Sequence, residues 1–271
     1  MRFFLFVCFF AICSINGLYS FNITETNNQN DSVLVEVTYQ LSFKKDKQCN
    51  PEEYSIDTVI LHISSHGSHS FSLKENELSK NLHELFLRNG KRWTNMNNWY
   101  AYIGEVYNDF NNKRQKVNLL LDAAGVFSYE ERLPTIKWNI DSENKKLIQD
   151  YMCVHAICNY RGRTFSAWFC PEIPFKAGPW ELYGLPGVIL EVSDEQNDYI
   201  FKCVSINKKS LDSYVIDDSY IKKTNRAKAQ KMLKYLCKKP GTFLSSYGIK
   251  VSVEGMSGDI MGYDCNPIGL K

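Results

Sequence analysis

The sequence predicts a mainly β fold of the α+β class, and three observations carry that prediction. From Val33 to Phe43 the residues Val33, Val35, Val37, Tyr39, Leu41 and Phe43 alternate with Leu34, Glu36, Thr38, Gln40 and Ser42, a period of two over a full strand. Aromatic side chains make up 14% of the 271 residues, and they favour pleated, half-buried surfaces. Helical spacing shows in only two stretches, around Leu78–Phe86 and Lys222–Lys239. Hydrophobic residues at 44% and charged residues at 23% are globular values. A net charge of +2 is too small to argue for a nucleic-acid partner.

Ahead of the first strand, Arg2 and the apolar run Phe3–Ile15 precede small or turn residues at Gly17–Ser20, the layout of a secretory signal peptide over residues 1–20. The run is shorter than the roughly 20 apolar residues that span a bilayer. Lipidation at Cys13 is a rival reading, weakened by Ile12 where a small residue is wanted. The expected location is therefore the periplasm, the outer membrane surface or the medium, and no later segment reads as transmembrane. Residues 21–31 are polar and Asn-rich, a flexible leader. Residues 32–271 show neither repeat nor linker and are expected to form one domain. With the signal removed, seven cysteines remain: Cys49, Cys153, Cys158, Cys170, Cys203, Cys237 and Cys265. No Cys-x-x-Cys pair occurs, so zinc-ribbon and thioredoxin-like chemistry is not indicated.

Lys44–Pro51 reads as a charged turn and Tyr54–Ile63 as a second strand. Ser64–Ser70, holding His66 and His69, reads as a solvated loop, with a metal site formed with His62 as the competing idea. Leu78, Leu82, Leu85 and Phe86 give a helix stopped at Gly90. Val117–Leu121, Val126–Glu130, Tyr151–Tyr160 and Arg163–Phe169 read as strands, the last two joined at Arg161–Gly162. Pro, Gly and aromatics dominate Pro171–Gly187. Val188–Val192 and Tyr199–Ile206 form a further hairpin, and Lys222–Lys239 a basic helix stopped by Pro240–Gly241. The apolar stripe of that helix, Met232, Leu233 and Leu236, is expected to pack on the sheet and leave a solvated basic face; docking to an anionic surface or an acidic partner is the alternative.

From Tyr129 the chain carries Tyr160-Arg161-Gly162-Arg163, Trp168-Phe169-Cys170-Pro171-Glu172, Gly178-Pro179-Trp180 and Gly184-Leu185-Pro186-Gly187-Val188-Ile189, with Asn266-Pro267-Ile268 near its end. These motifs resemble the GLPGLI family of the Bacteroidetes. The resemblance implies an exported envelope protein of unassigned function and an antiparallel β bowl or half-barrel with two or three helices, similar to lipoprotein-carrier-like folds.

Leu185-Pro186-Gly187-Val188 suits a type II turn with positive φ at Gly187. Gly178, Pro179 and Gly184 add stiffness, so the loop holds Trp180, Tyr183 and Leu185 in fixed directions. With Trp168, these residues either complete the core or line a ligand site for a peptide or lipid-like group. A two-residue turn at Arg161–Gly162 puts Cys153 opposite Cys170, where either a cross-strand disulfide or two buried thiols fit. Cys153 and His155 share a strand face but lack a third orienting group, so packing is the simpler reading. No catalytic residue, metal ligand or cofactor motif is assigned. Three functions remain open: a non-enzymatic binder holding an apolar or extended ligand in the bowl, an envelope hydrolase using two of Glu172, Glu181 and Glu191, and an interaction module accessory to an outer-membrane receptor.

Overall fold

A computed structural model describes residues 32–46, 53–89, 101–208, 221–249 and 262–269. The signal segment, the leader, Cys49 and the Gly90 stop lie outside the described residues. Twelve strands form one sheet in the order β12-β6-β5-β4-β3-β2-β1-β11-β10-β9-β8-β7. The strands are β1 (Val35–Phe43), β2 (Ser55–Ile63), β3 (Gly67–Ser72), β4 (Glu105–Asp109), β5 (Arg114–Leu120), β6 (Val126–Arg132), β7 (Trp138–Ile148), β8 (Tyr151–Tyr160), β9 (Arg163–Cys170), β10 (Val188–Asp194), β11 (Tyr199–Asn207) and β12 (Lys222–Lys223). All pairings are antiparallel except β12 with β6. The helices are α1 (Leu73–Asn89), α2 (Arg226–Lys238) and α3 (Pro240–Ser245). The mainly β class is as the sequence predicts, and the three helices among the described residues fall within the two or three that the resemblance implies.

Two meanders build the sheet, β1 to β6 and β7 to β11, and they meet where β1 pairs with β11. Consecutive strands pair as antiparallel neighbours within each meander, through tight turns at β4–β5, β7–β8 and β8–β9 and through longer segments at β3–β4, which holds α1, and at β9–β10. At Gln149–Asp150 and at Arg161–Gly162 both turn residues have positive φ, the conformation whose twist matches two-residue hairpins. The connection from β6 to β7 is different. Those strands stand ten positions apart in the sheet, about 48 Å if it were flat at about 4.8 Å per strand. The chain from Arg132 to Trp138 spans only about 20 Å at full extension. The sheet must therefore curl until its far edges approach, which makes it a half-barrel.

Alternation then sorts the side chains. Val35, Val37, Tyr39, Leu41 and Phe43 all point into one core that runs from β5 round to β8, and Tyr39 there donates to the carbonyl of Ile189 at 2.6 Å. The concave side is filled by the chain itself. Trp180, Leu182 and Leu185 enter from the 171–187 loop, Ala229, Leu233, Leu236 and Cys237 from α2, Phe243 and Leu244 from α3, and Ile268 from the terminal segment. A void among Phe43, Tyr102, Tyr199, Leu233 and Cys265 measures about 10 Å³, at or below the space one water needs. α1 lies outside this core, setting Leu78 and Leu82 against Leu120 and Val126 on the outer side of the sheet.

Three expectations need correction. Ser64–Ser70 is not a loop: Gly67–Ser72 is β3, whose inward serines Ser68, Ser70 and Ser72 are buried and hydrogen-bonded. Lys222–Lys223 does not begin the basic helix; it makes the short parallel β12, and α2 starts after Asn225, whose side chain accepts from Lys228 N. Pro240 does not end the helical region but opens α3 from its first turn, where its missing N–H costs nothing. Replacing Asn225 with Ala is expected to cost about 1 kcal/mol; denaturant melts with an unchanged midpoint would contradict this capping role.

Candidate functional site

The loop from Pro171 to Gly187 links β9 to β10 and carries most of the motif residues. Trp180 is buried, donates its backbone N–H to Ser70 Oγ at 2.9 Å, and packs against Tyr160 and Phe165. Leu185 is equally buried. Tyr183 is 8% exposed, packs near Phe110 and offers its carbonyl to Trp138 Nε1 at 2.9 Å; burial pushes its phenol up to about 12. Trp180, Tyr183 and Leu185 therefore plug the bowl and do not line an open face. Trp168 sits apart from them on the outer face of β9, half-buried between His155 and the Lys146 ammonium.

The glycines act differently from expectation. Positive φ belongs to Gly184, at +99°, and Gly187 is not in that region. What Gly187 supplies is contact: a Cβ there would stand 2.1 Å from the carbonyl oxygen of Cys170. Gly178 likewise lets the backbone approach Leu182 and Ile189. Pro179 and Pro186 complete the motif between these contacts. Gly187→Ala should therefore disrupt the β9–β10 junction and cost more than Gly184→Ala, which meets only Trp138 Nε1 at 3.9 Å and pays for backbone conformation; comparable stability of the two variants would refute this.

Two charged networks anchor the loop. In the first, Glu181 is buried and accepts from Arg161 Nε at 3.1 Å, Arg226 Nη2 at 2.8 Å and Tyr160 OH at 3.0 Å. Glu131 of β6 accepts from the same two arginines. This cluster ties the β6 edge to the β8–β9 turn, the loop and α2. Burial would raise the Glu131 carboxyl, but the Arg226 hydrogen bonds and the two guanidinium charges hold it below the ordinary range. A depressed carboxylate contributes stability above its unfolded value that is lost as pH falls through the folded one. Glu131→Gln should flatten the acid limb of the stability profile; an unchanged slope there would show that the network contributes nothing.

In the second network the Arg163 guanidinium is buried and every N–H is used. Nη1 donates to Asp194 Oδ2 at 2.6 Å and Asp198 Oδ2 at 3.0 Å. Nη2 donates to Asn266 Oδ1 at 2.6 Å and the Pro267 carbonyl at 3.1 Å, and Nε to the Ile268 carbonyl at 3.0 Å. Tyr199 OH adds a bond to the Asn266 carbonyl at 2.5 Å. The Asn-Pro-Ile segment is thus clamped onto the β8–β9 hairpin. Removing one member of a buried pair costs about 3–5 kcal/mol, so Arg163→Met should lose that much. Arg163→Lys, with three donors in place of five, should recover little; full recovery would mean that charge alone suffices.

The Arg161-Gly162-Arg163 and Asn266-Pro267-Ile268 motifs lie about a hundred residues apart in the sequence and meet only in the fold. The joining signal was available: the turn register puts Arg163 on the same face as Phe165, Ala167 and Phe169, so an arginine points into the core. Glu131 and Arg226 gave no such signal, because their meeting depends on the closure of the sheet.

The remaining candidates are dispersed. The β8–β9 register places Val154 opposite Phe169 and His155 opposite Trp168, as the turn implies. Cys153 and Cys170 are buried free thiols at the end of that ladder. Burial, reinforced by Cys170, pushes the Cys153 thiol up to about 12, far from a nucleophile's range. His155 contacts Ser166 Oγ at 2.8 Å. Glu172 is exposed and accepts from Met152 N at 3.3 Å, Glu191 pairs with Lys146 at 2.8 Å on the outer face, and Glu181 is inside with its arginines. The three carboxylates do not converge. His62 and His69 are neighbours across β2 and β3, each on its own carboxylate: Glu36 at 3.0 Å and Glu105 at 2.8 Å. No group of three or more His, Cys, Asp or Glu among the described residues could hold a metal ion.

Residues 159–191, which run from the end of β8 through β9 and the motif loop into β10, match the model of a family described as "Protein of unknown function (Porph_ging)". No curated protein matches the chain. Among solved structures, PNGF-II in its P21 crystal form is similar at 15% identity with a TM-score of 0.50, over 75% of this chain and 33% of that one. Its C2 form gives the same identity and TM-score over 73% and 32%. The likeness is one of fold, and this chain spans about a third of that relative's length. MucB in complex with MucA(peri) aligns at 11% identity and a TM-score of 0.27, over 66% of this chain and 50% of that one.

Proposed function

We propose that the chain is a non-enzymatic accessory module of the bacterial cell envelope, of the GLPGLI group, that docks an acidic protein partner through the outward face of α2. The observation that carries this reading is the helix itself. Ala229, Leu233, Leu236 and Cys237 fix it to the core, while Lys228, Lys231, Lys234 and Lys238 stand exposed on a helix without a single acidic residue. Such a one-signed, rigidly held face attracts a complementary surface and steers encounter.

Three further points support it. The matched segment contains Gly184–Ile189, the motif on which the group resemblance rests. The fold recurs as about a third of a longer chain in PNGF-II, as an accessory unit would. The plugged interior leaves the apolar or peptide ligand expected from sequence without space in the described part of the bowl, and the separated carboxylates give the hydrolase reading no pair to work with. The N-terminal signal layout supports export, and no described helix is long and apolar enough to cross a membrane.

Replacing Lys228, Lys231, Lys234 and Lys238 with Glu should leave the melting profile near that of the parent and abolish capture of the partner from envelope extracts. Capture by the parent should weaken steeply as salt rises and the Debye length shrinks below about 10 Å. A partner held equally by the charge-reversed chain would overturn the reading.

A further inference from the structure

Between α1 and the outer side of β3, β4 and β5 lies a half-open cavity of about 50 Å³, lined by Phe71, Glu75, Glu105, Asn118, Leu120 and Val126 among others. By the space a water requires, it has room for about four water-sized groups. Two of its lining residues carry unmatched acceptors. Glu75 is 6% exposed and Asn118 3%, and the buried atoms Glu75 Oε1 and Asn118 Oδ1 have no hydrogen-bond partner. The other atoms of these groups are committed: Glu75 Oε2 accepts from Gly104 N at 3.0 Å, and Asn118 Nδ2 donates to Glu105 Oε2 at 3.3 Å. Glu105 Oε1 accepts from His69 and from Tyr107 OH. Phe71, Leu120 and Val126 supply the apolar part of the lining.

We propose that this cavity binds a protonated primary amine, its ammonium donating to Glu75 Oε1 and Asn118 Oδ1 and a short alkyl stem lying against Phe71, Leu120 and Val126. An ammonium is a donor-only group with three N–H bonds, which is what two orphaned acceptors beside a second carboxylate require. Buried acceptors left unmatched are costly, and each calls for a ligand, ion or water. Burial first, then the negative charges of Asp57 and Glu105, hold the Glu75 carboxyl well above its ordinary range, and a bound cation reverses that preference by pairing with the ionised form. The Lys80 side chain borders the mouth and is exposed. Neither orphaned atom accepts a hydrogen bond from it.

The test is thermal unfolding and amide NMR of the purified protein titrated with propylammonium chloride, against propanol and potassium chloride. Expected is a saturable rise in midpoint of roughly 3–5 °C at ten times the dissociation constant, with a shift of the Gly104 amide. Propanol and potassium chloride should do neither. Glu75→Gln keeps an acceptor for Gly104 and should lose the response; Asn118→Leu, a second and independent variant, should weaken it at least tenfold. No saturable effect, an equal effect from potassium, or an undiminished response in a folded variant would each overturn the proposal. So would a response that appears only in Lys80→Met, which would make Lys80 the occupant.

Discussion

The five residues between β6 and β7 impose more on this molecule than any other segment. They join strands at opposite regions of a twelve-stranded sheet, so the sheet cannot remain open and flat. Once it curls, inward side chains from β5 and from β8 and β9 face one interior and share one core. A half-barrel of this width is too large for strand side chains alone to fill. The volume is taken by long aromatic and aliphatic groups delivered from outside the strands: Trp180 and Leu185 from the motif loop, Leu233 and Leu236 from α2, Phe243 from α3. The stiffness of the Gly-Pro-Trp and Gly-Leu-Pro-Gly segments follows from that task. A plug must arrive at a fixed depth, and Gly187 sets the depth by lying against the Cys170 carbonyl.

Closure also explains charges where an apolar interior would be cheaper. Glu131, Arg161, Glu181 and Arg226 come from β6, the β8–β9 turn, the motif loop and α2, four segments that meet only when the bowl is closed. Arg163 with Asp194 and Asn266 does the same for the terminal segment. Buried ion pairs give little net stability over packed hydrophobes, but they penalise any arrangement that leaves one partner alone. Here the penalised arrangements are an open bowl and a misplaced tail, so the networks select one closure among many loosely apolar alternatives.

The legible parts of the sequence were those in which one side of an element faces the core and the other faces water. β1 shows this fully, and its alternation survives in the structure residue by residue. The β8–β9 register was legible because its turn needs only two residues. Besides the two-residue β12, three strands carry no legible period, for different reasons. β7 is an edge strand whose residues from Asn139 to Leu147 are exposed, so no apolar period marks it; its conformation is set by pairing with β8. β3 and β4 carry Ser68, Ser70 and Asn108 at inward positions, where a polar seam with Gln115 and the Trp180 N–H replaces apolar contact. At Gly187 a positive φ and a close backbone approach both demand glycine, and sequence alone does not separate the two causes.

The same packing decides where chemistry can occur. Burial raises the thiols of Cys153, Cys158 and Cys203 to about 12, so they are inert as nucleophiles at neutral pH. Arg163 has spent all its donors, and Arg161 and Arg226 are paired with Glu131 and Glu181. Two candidate recognition surfaces among the described residues lie outside the bowl: the lysine face of α2 and the cavity beneath α1. The two have opposite sign and stand on opposite sides of the sheet wall, α2 over the concave core and α1 on the outer side. A fold that spends its interior on closing itself leaves recognition to its exterior, and here that exterior offers one cationic and one anionic surface, each backed by a helix held to the sheet by apolar side chains.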